Sequence, residues 1–204
     1  MAVDTNVGYV GSMRKESGHE PVAVQDYLVN EVRSPARHEY VGGLTYAMAG
    51  ASNAHNRIAT NSLVALANRL RKGPCEPFNS DTKIRVRLSF GVHFYYPDVS
   101  VTCRPNPQSE SFQDEPAVVV EVVSTETRRV DEGEKLLAYT TIRSLAAYLL
   151  IEQESAQVVV YRRTEHGFVR ETHAGLDAAI PLPEIGCELP LAEVYERIQF
   201  PADA

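Results

Sequence analysis

The stretch EPAVVVEVVSTETRRVDEGEK, residues 115–135, contains the feature that decides the fold. It begins with a near-continuous apolar run from Ala117 to Val123, which is typical of a strand covered on both faces. Glu121 lies inside this run, between three preceding and two following valines. Because a buried ionised carboxylate is costly unless it is paired or bound to a cation, Glu121 is a candidate functional residue.

The segments around this strand predict alternating helices and strands. Residues 22–32 have helical spacing, Gly42–Gly43 indicates a hairpin, and Ser52 is placed to cap a long helix. A helix over residues 131–142, followed by a strand over 146–152, has the right length for a crossover between parallel strands. Further elements are predicted in the order strand 82–88, strand 96–103, strands 156–163 and 168–173, and a last helix 192–198.

This order predicts an α/β or α+β fold with a mixed sheet. The chain of 204 residues, 44% of them apolar, fits a single domain over residues 21–200 that follows a mobile tail over residues 1–20. We expect a cytoplasmic protein, because the N-terminus lacks a signal-peptide core and no apolar stretch reaches the roughly 20 residues that span a bilayer.

Charge and cysteine content narrow the function classes. The net charge of −7 argues against strong nonspecific nucleic-acid binding, although a metal site would itself hold several carboxylates. Cys75, Cys103 and Cys187 are widely spaced, so we expect three ordinary thiols and neither a disulfide framework nor a structural zinc site.

Asp98 is the natural companion of Glu121. It follows Pro97 at the start of a strand, 23 residues before the glutamate. If the two strands are neighbours, both carboxylates converge on one point of the sheet, where they repel each other unless a cation lies between them. A hard divalent ion such as Mg²⁺, or Mn²⁺ in its place, is the ion that such oxygen ligands suit.

A cationic group is expected near the two acids. Position 123 is valine, so the nearest candidate is Lys135 on the following helix. The alternative interpretation is an exposed i, i+4 ion pair between Asp131 and Lys135, which needs no function.

Basic side chains occur in two places. Lys83, Arg85 and Arg87 share one face of a strand, which indicates either a path for a phosphate backbone or a solvated sheet edge. Arg128 and Arg129 lie nearer the predicted metal site and are the better candidates for phosphate contacts.

Several segments together resemble the Uma family of restriction-endonuclease-like proteins within the PD-(D/E)XK nuclease superfamily. They are EYVGGLTYAMAGASNAHNRIATNSLVALANRLR, YYPDVSVTC, PAVVVEVVS, TRRVDEGEKLLAY and AAYLLIEQESAQVVVYRR, and the resemblance covers about residues 20–198. It departs from the family pattern at STET, where Glu126 stands in place of a small residue, and at Tyr148–Leu149, where a Tyr-Trp pair is usual.

The resemblance implies a restriction-endonuclease-like fold, with a mixed central sheet flanked by helices, and Mg²⁺-dependent cleavage of phosphodiester bonds in DNA. By position, Asp98, Glu121 and Lys135 match the catalytic residues, with the lysine on the helix instead of two residues after the acid. The backbone carbonyl of Val122 is a further metal ligand in this scheme, and Glu39 is an acid near the same site.

The resemblance also assigns supporting residues and a partner. His55, at the start of the long helix, and Tyr139, one turn after the lysine, match family positions near the site. A homodimer is expected by analogy with nucleases that pair subunits to cut two strands. Two other functions stay open: a nuclease-fold binding protein without turnover, and a metal-dependent hydrolase of a phosphodiester other than DNA.

Overall fold

The structure is a computed structural model and describes residues 20–201. The predicted mobile tail, residues 1–20, lies outside the described residues apart from Glu20. The helices are α1 (Val24–Arg33), α2 (Asn53–Leu70), α3 (Arg128–Val130), α4 (Leu136–Tyr139) and α5 (Leu191–Val194), with a π-helical turn, Asp131–Lys135, between α3 and α4 and a 3-10 turn at Pro183–Ile185. The strands are β1 (His38–Val41), β2 (Leu44–Ala47), β3 (Glu76–Asn79), β4 (Lys83–Leu88), β5 (Gly91–Tyr95), β6 (Val99–Thr102), β7 (Phe112–Gln113), β8 (Pro116–Val123), β9 (Ala147–Glu152), β10 (Gln157–Thr164), β11 (Gly167–Ala174), β12 (Ala179–Leu182) and β13 (Cys187–Pro190). No helix in this range is long and apolar enough to cross a membrane.

The central sheet, in the described part of the chain, has six strands in the order β11-β10-β9-β8-β6-β3. β8 and β9 are parallel and the other neighbours are antiparallel, so the sheet is mixed. The parallel pair is joined by α3, the π turn and α4, which confirms the predicted crossover. β8 is central and covered on both faces, in agreement with its apolar sequence.

A second, five-stranded sheet has the order β2-β1-β5-β4-β7 across residues 20–201. Its first hairpin turns at Gly42 and Gly43, whose φ angles of 57° and 101° are the positive values that a two-residue turn requires. The predicted hairpin is therefore confirmed.

Three apolar clusters join these elements. One lies between the two sheets and includes Ile84 and Tyr95 of the second sheet and Val119 and Leu150 of the central sheet. Another fills the opposite face of the central sheet beneath α2 and α5. A smaller aromatic cluster holds α1 against the outer face of the second sheet. The layers confirm the predicted α+β class: α2 and α5 cover one face of the central sheet, and the second sheet together with α4 covers the other.

The basic face of β4 is covered at its beginning and exposed at its end, and β7 pairs only with Lys83 and Ile84. Lys83 is buried and donates to the hydroxyl of Tyr96 at 3.2 Å, and burial lowers its pKa. Arg85 makes two 2.7 Å hydrogen bonds to Asp114. A solvated position was therefore a wrong prediction for Lys83, whereas the side chain of Arg87 is 61% exposed as expected, so the three residues do not form one continuous exposed row.

The pKa of Asp114 is lowered by its contacts with neighbouring side chains, including Arg85. Burial alone would raise its pKa, but hydrogen bonds from Arg85 and Asn106 and the charges of Arg85 and Arg87 outweigh burial and lower it.

The prediction of three free thiols was also wrong. Cys75 and Cys103 form a disulfide, and Cys187 is the free cysteine. The two paired residues directly precede β3 and follow β6, and the β3–β6 register, Glu76 opposite Thr102, brings them face to face. Sequence spacing does not reveal a pair that depends on strand register.

Candidate active site

Asp98 and Glu121 are brought together by two neighbouring strands. β6 and β8 are antiparallel with Val99 opposite Val120, so Asp98, directly before β6, lies across from Glu121. The Oδ2 atom of Asp98 accepts a 2.7 Å hydrogen bond from the backbone N–H of Val122. The predicted adjacency of the two acidic strands is therefore confirmed.

Lys135 enters this site from the π turn. Its Nζ atom lies 3.1 Å from Oε1 of Glu121, 3.1 Å from Oε1 of Glu39 and 3.5 Å from Oδ1 of Asp131. Its side chain is only 8% exposed, and that of Asp131 is 3% exposed. The i, i+4 pair of the alternative interpretation exists, but it is buried and shares its ammonium with two further carboxylates.

The local sequence explains this placement. The π turn has the sequence DEGEK, and its wider helical geometry is a form found at functional sites. Asp131 and Lys135 are the buried residues of the turn. The hydroxyl of Tyr148 in β9 donates to the backbone carbonyl of Asp131 at 3.1 Å, which ties the turn to the central sheet.

Glu39 and Tyr139 complete the buried group. Glu39, in β1, is 2% exposed and accepts a 3.2 Å hydrogen bond from the backbone N–H of Tyr96. The hydroxyl of Tyr139 donates to Oε1 of Glu121 at 3.4 Å. Glu39 is therefore not a solvated hairpin acid.

His55 borders the site on the side of Asp98. Ser52 caps α2 as predicted, by accepting the backbone N–H of His55 at 3.1 Å. The Nε2 atom of His55 lies 3.2 Å from Oδ2 of Asp98. Gln153 links the same corner, because it accepts from the Ser52 hydroxyl at 3.0 Å and donates to the carbonyl of Val123 at 3.0 Å.

The charges of the site do not balance within the described residues. Glu39, Glu121 and Asp131 surround one ammonium group. Burial raises the pKa of Glu121 well above its ordinary value, and the nearby acids add to this against the opposing charge of Lys135. Burial alone would lower the pKa of Lys135, but Glu121, Glu39 and Asp131 outweigh burial and raise it well above its ordinary value.

The donor set suits a hard divalent cation. Across residues 20–201 the polar contacts of Glu121 end on Oε1 and those of Asp98 on Oδ2, so each carboxylate has a second oxygen for a ligand. Oxygen donors with excess negative charge are what Mg²⁺ prefers. No three His, Cys, Asp or Glu side chains in that range are already gathered as a metal cluster, so a cation would draw on the two acids and backbone oxygens such as that of Val122.

The two arginines differ in their surroundings. Arg128 donates to both carboxylate oxygens of Glu152, one of them at 2.9 Å, and to Glu132 at 2.9 Å. It is therefore committed to an ion-pair network at the rim. Arg129 is exposed.

Sequence reasoning missed several residues of the site. Asp131 appeared only as the partner in a surface ion pair. The hydroxyl of Tyr95 donates to Glu134 in the π turn at 2.8 Å and lies 2.8 Å from Nδ1 of His93. Tyr95 and His93 lie two and four residues before Pro97, in the strand that leads to Asp98, and this position was the available signal for them.

Comparisons with known proteins agree with this architecture. The family model Uma2, described as "putative restriction endonuclease", matches residues 24–192. Two uncharacterized proteins of Synechocystis are similar: one is 33% identical over 177 residues, covering 86% of this chain and 92% of that protein. The other is 30% identical over 141 residues, covering 68% and 78%. A crystal structure titled as a "putative nuclease" from Anabaena variabilis shares the fold, with a TM-score of 0.68 and 16% identity over 88% of this chain and all of that one.

Proposed function

Because the chain belongs to the Uma2 family of "putative restriction endonuclease" proteins, we propose that it is a metal-dependent nuclease that hydrolyses phosphodiester bonds in DNA. The observation that carries the proposal is the juxtaposition of Asp98, Glu121 and Lys135. Two carboxylates on adjacent strands and a lysine from the next helix bring oxygen ligands and a cationic group to one point.

Asp98, Glu121 and the carbonyl of Val122 would hold Mg²⁺ or Mn²⁺. When bound, such a cation lowers the pKa of an attacking water and stabilises negative charge on the phosphate. Lys135 would orient the attacking water and offset the charge that develops on the phosphate. Its burial among carboxylates keeps it protonated, which favours the orienting role over that of a base.

The surrounding residues would support the same reaction. Glu39 shares the ammonium of Lys135 and would hold it in place or bind a second cation through water. Tyr139 would fix the rotamer of Glu121 through its hydroxyl. His55 would hold Asp98 or contact the phosphate.

Two arginines and a second subunit complete the proposal. Arg128 and Arg129 are the candidates for phosphate contacts, and Arg128 would contribute through its network with Glu152. We also propose that the protein is cytoplasmic and acts as a homodimer, so that two centres cut opposite strands.

The experiment is cleavage of supercoiled plasmid in Mg²⁺, in Mn²⁺ and in EDTA. Wild type is compared with Asp98→Asn, Glu121→Gln and Lys135→Ala. Glu193→Gln, at an exposed ion pair with Arg69, is the control. We expect the three site variants and EDTA to lower the rate at least about 100-fold, since each removes a component of the catalytic group. Equal rates in wild type and Asp98→Asn would overturn the assignment.

A second candidate is the nuclease-fold binding protein without turnover. It is favoured by Lys135, whose ammonium already contacts three carboxylates. Parallel assays on single-stranded DNA, RNA and bis(p-nitrophenyl) phosphate separate the possibilities. Activity on the small diester alone would indicate a non-DNA substrate, and DNA retention without cleavage would indicate a binding protein.

A further inference from the structure

The hydroxyl of Tyr95 is the middle of a row of three hydrogen-bonded polar groups that runs from the buried ring of His93 to the exposed side chain of Glu134. Tyr95 is fully buried in β5, and its oxygen lies 2.8 Å from Nδ1 of His93 and 2.8 Å from Oε1 of Glu134. His93 is itself 4% exposed. Glu134 is an exposed residue of the π turn that reaches back to this hydroxyl.

The direction of these hydrogen bonds follows from their chemistry. A carboxylate only accepts, so the proton of the Tyr95 hydroxyl points to Glu134. The remaining contact requires Nδ1 of His93 to carry a proton and donate to the Tyr95 oxygen. Burial lowers the pKa of His93, so its ring is the neutral Nδ1–H form. An imidazole in water favours the other tautomer, Nε2–H. The hydrogen bonds of Tyr95 therefore change the tautomer of His93, which can be measured.

Glu134, at the other end of this row of hydrogen bonds, lies beside the predicted catalytic lysine. Glu134 directly precedes Lys135, and both belong to the π turn. The turn also contains Gly133. The space into which a side chain at this position would project is open to 4 Å, so side-chain packing does not confine the backbone there. Tyr148 holds the start of the turn through the carbonyl of Asp131, and Tyr95 holds its end through Glu134.

We propose that Tyr95, oriented by His93 and bonded to Glu134, is a positioning residue that fixes the end of the π turn and so aims Lys135 at Glu121 and Glu39. The inference deepens the proposed nuclease function and depends on it only for the effect on the reaction rate. Its structural content is tested separately.

The first measurement is the tautomer of His93 from its ring ¹⁵N chemical shifts. We expect Nδ1–H in wild type and a change toward Nε2–H in Glu134→Ala, where the Tyr95 hydroxyl loses its acceptor and is free to donate to His93. Glu132→Ala is the matched control, because Glu132 lies in the same turn but binds Arg128. We expect it to leave the tautomer unchanged.

The second measurement is amide hydrogen exchange of the segment 128–139. Loss of the Tyr95–Glu134 bond is expected to increase the exchange rate of this segment about fivefold or more in Tyr95→Phe and in Glu134→Ala, since local opening becomes easier. Tyr161→Phe, which removes a hydroxyl from β10, is expected to match wild type. Glu132→Ala loses only an exposed i, i+4 pair with Arg128 and is expected to change the exchange rate less than about twofold.

The third measurement is cleavage kinetics. A misdirected lysine affects the chemical step, so Tyr95→Phe and Glu134→Ala are expected to lower kcat about tenfold and to leave KM within twofold of wild type. The control variant Tyr161→Phe is expected to keep kcat within twofold.

The outcomes separate the inference from the function. If wild type cleaves no DNA, the proposed function fails, and the tautomer and exchange results alone decide the inference. The inference is overturned by an Nε2–H His93 in wild type, by equal exchange in Glu134→Ala and Glu132→Ala, or by faster exchange with an unchanged kcat in an active enzyme. Using both Tyr95→Phe and Glu134→Ala keeps the test decisive if one of them does not fold.

Discussion

Replacing Glu121 by glutamine is predicted to stabilise the metal-free protein, although it removes a buried ion pair. The substitution keeps the shape of the side chain and the oxygen that accepts from Lys135 and Tyr139. It removes one negative charge from a buried group that holds three carboxylates and one ammonium. The balance of attraction and repulsion decides the sign.

The distances give the magnitude. Oε1 of Glu121 and Oε1 of Glu39 each lie 3.1 Å from Nζ of Lys135, so these two oxygens are at most 6.2 Å apart. With an effective dielectric constant of about 20, the attraction between Glu121 and Lys135 is about 5 kcal/mol. Repulsion from Glu39 is about 2.7 kcal/mol at that limit, and Asp131 contributes about 2.5 kcal/mol. These contributions nearly cancel, so the desolvation cost of the Glu121 charge is left uncompensated.

We therefore expect Glu121→Gln to raise the free energy of unfolding in EDTA by about 1–2 kcal/mol, after relaxation of the site. For a chain of this size, each kcal/mol corresponds to a rise in Tm of about 2–4 °C. Urea unfolding and thermal unfolding both measure it. Glu76→Gln, at an exposed glutamate of β3, is the control and is expected to stay within about 0.5 kcal/mol of wild type.

Added Mg²⁺ is expected to act in the opposite direction. At ten times its dissociation constant, a cation bound to the folded wild type stabilises it by about 1.4 kcal/mol, whereas Glu121→Gln lacks a ligand and gains little. The advantage of the variant should therefore shrink or reverse. A loss of more than about 1 kcal/mol in EDTA would show that the Glu121–Lys135 pair is a net stabilising ion pair. That result would refute the charge-balance reasoning.

Three further predictions concern the scaffold. Asp114 has a lowered pKa in the folded protein. Its charge therefore contributes stability above its unfolded pKa, and this contribution is lost as pH falls through the folded pKa. Asp114→Asn should flatten the pH dependence of the unfolding free energy below about pH 5, and an unchanged slope would contradict this. Glu31→Gln should cost about 2 kcal/mol in urea unfolding, because this buried carboxylate accepts hydrogen bonds from the backbone and ring of His38 and from Tyr96, and a change below about 0.5 kcal/mol would argue against it. Reduction of the Cys75–Cys103 disulfide, with a sequence separation of 28, should lower the unfolding free energy by about 3.5 kcal/mol; the double serine variant should show the same loss and no response to reductant.

Local features of the sequence were enough to predict much of the fold. Period-two and helical patterns, the Gly42–Gly43 turn and the Ser52 cap act over a few residues, and the structure contains each of them. The crossover after β8 followed from its length. The short strands β3, β5, β7, β12 and β13 were missed, because strands of two to five residues carry too little pattern.

Tertiary environment was harder to predict. A clean alternation on β4 indicates two faces but not what covers them, so Lys83 was expected to be exposed although it is buried and bonded to Tyr96. Asp131 was expected on the surface for the same reason: an i, i+4 spacing has the same appearance in sequence whether the helix faces water or a buried acid. The resemblance to the family added Glu39 as a candidate and favoured Lys135, which was already the nearest candidate cation in the sequence, because it carries information about contacts that one sequence lacks.

The segment HFYYPD, residues 93–98, explains why the site forms where the two sheets meet. It ends β5 in the second sheet and leads directly into β6 of the central sheet, so one stretch of chain serves both. Within it, Tyr95 holds the turn that carries Lys135, the N–H of Tyr96 holds Glu39, and Asp98 faces Glu121. Asp98 and Glu121 come from neighbouring strands of one sheet, whereas Glu39 reaches the lysine only because the second sheet packs against the first. A change that loosens the contact between the sheets should therefore remove Glu39 from the site before it disturbs the Asp98–Glu121 pair.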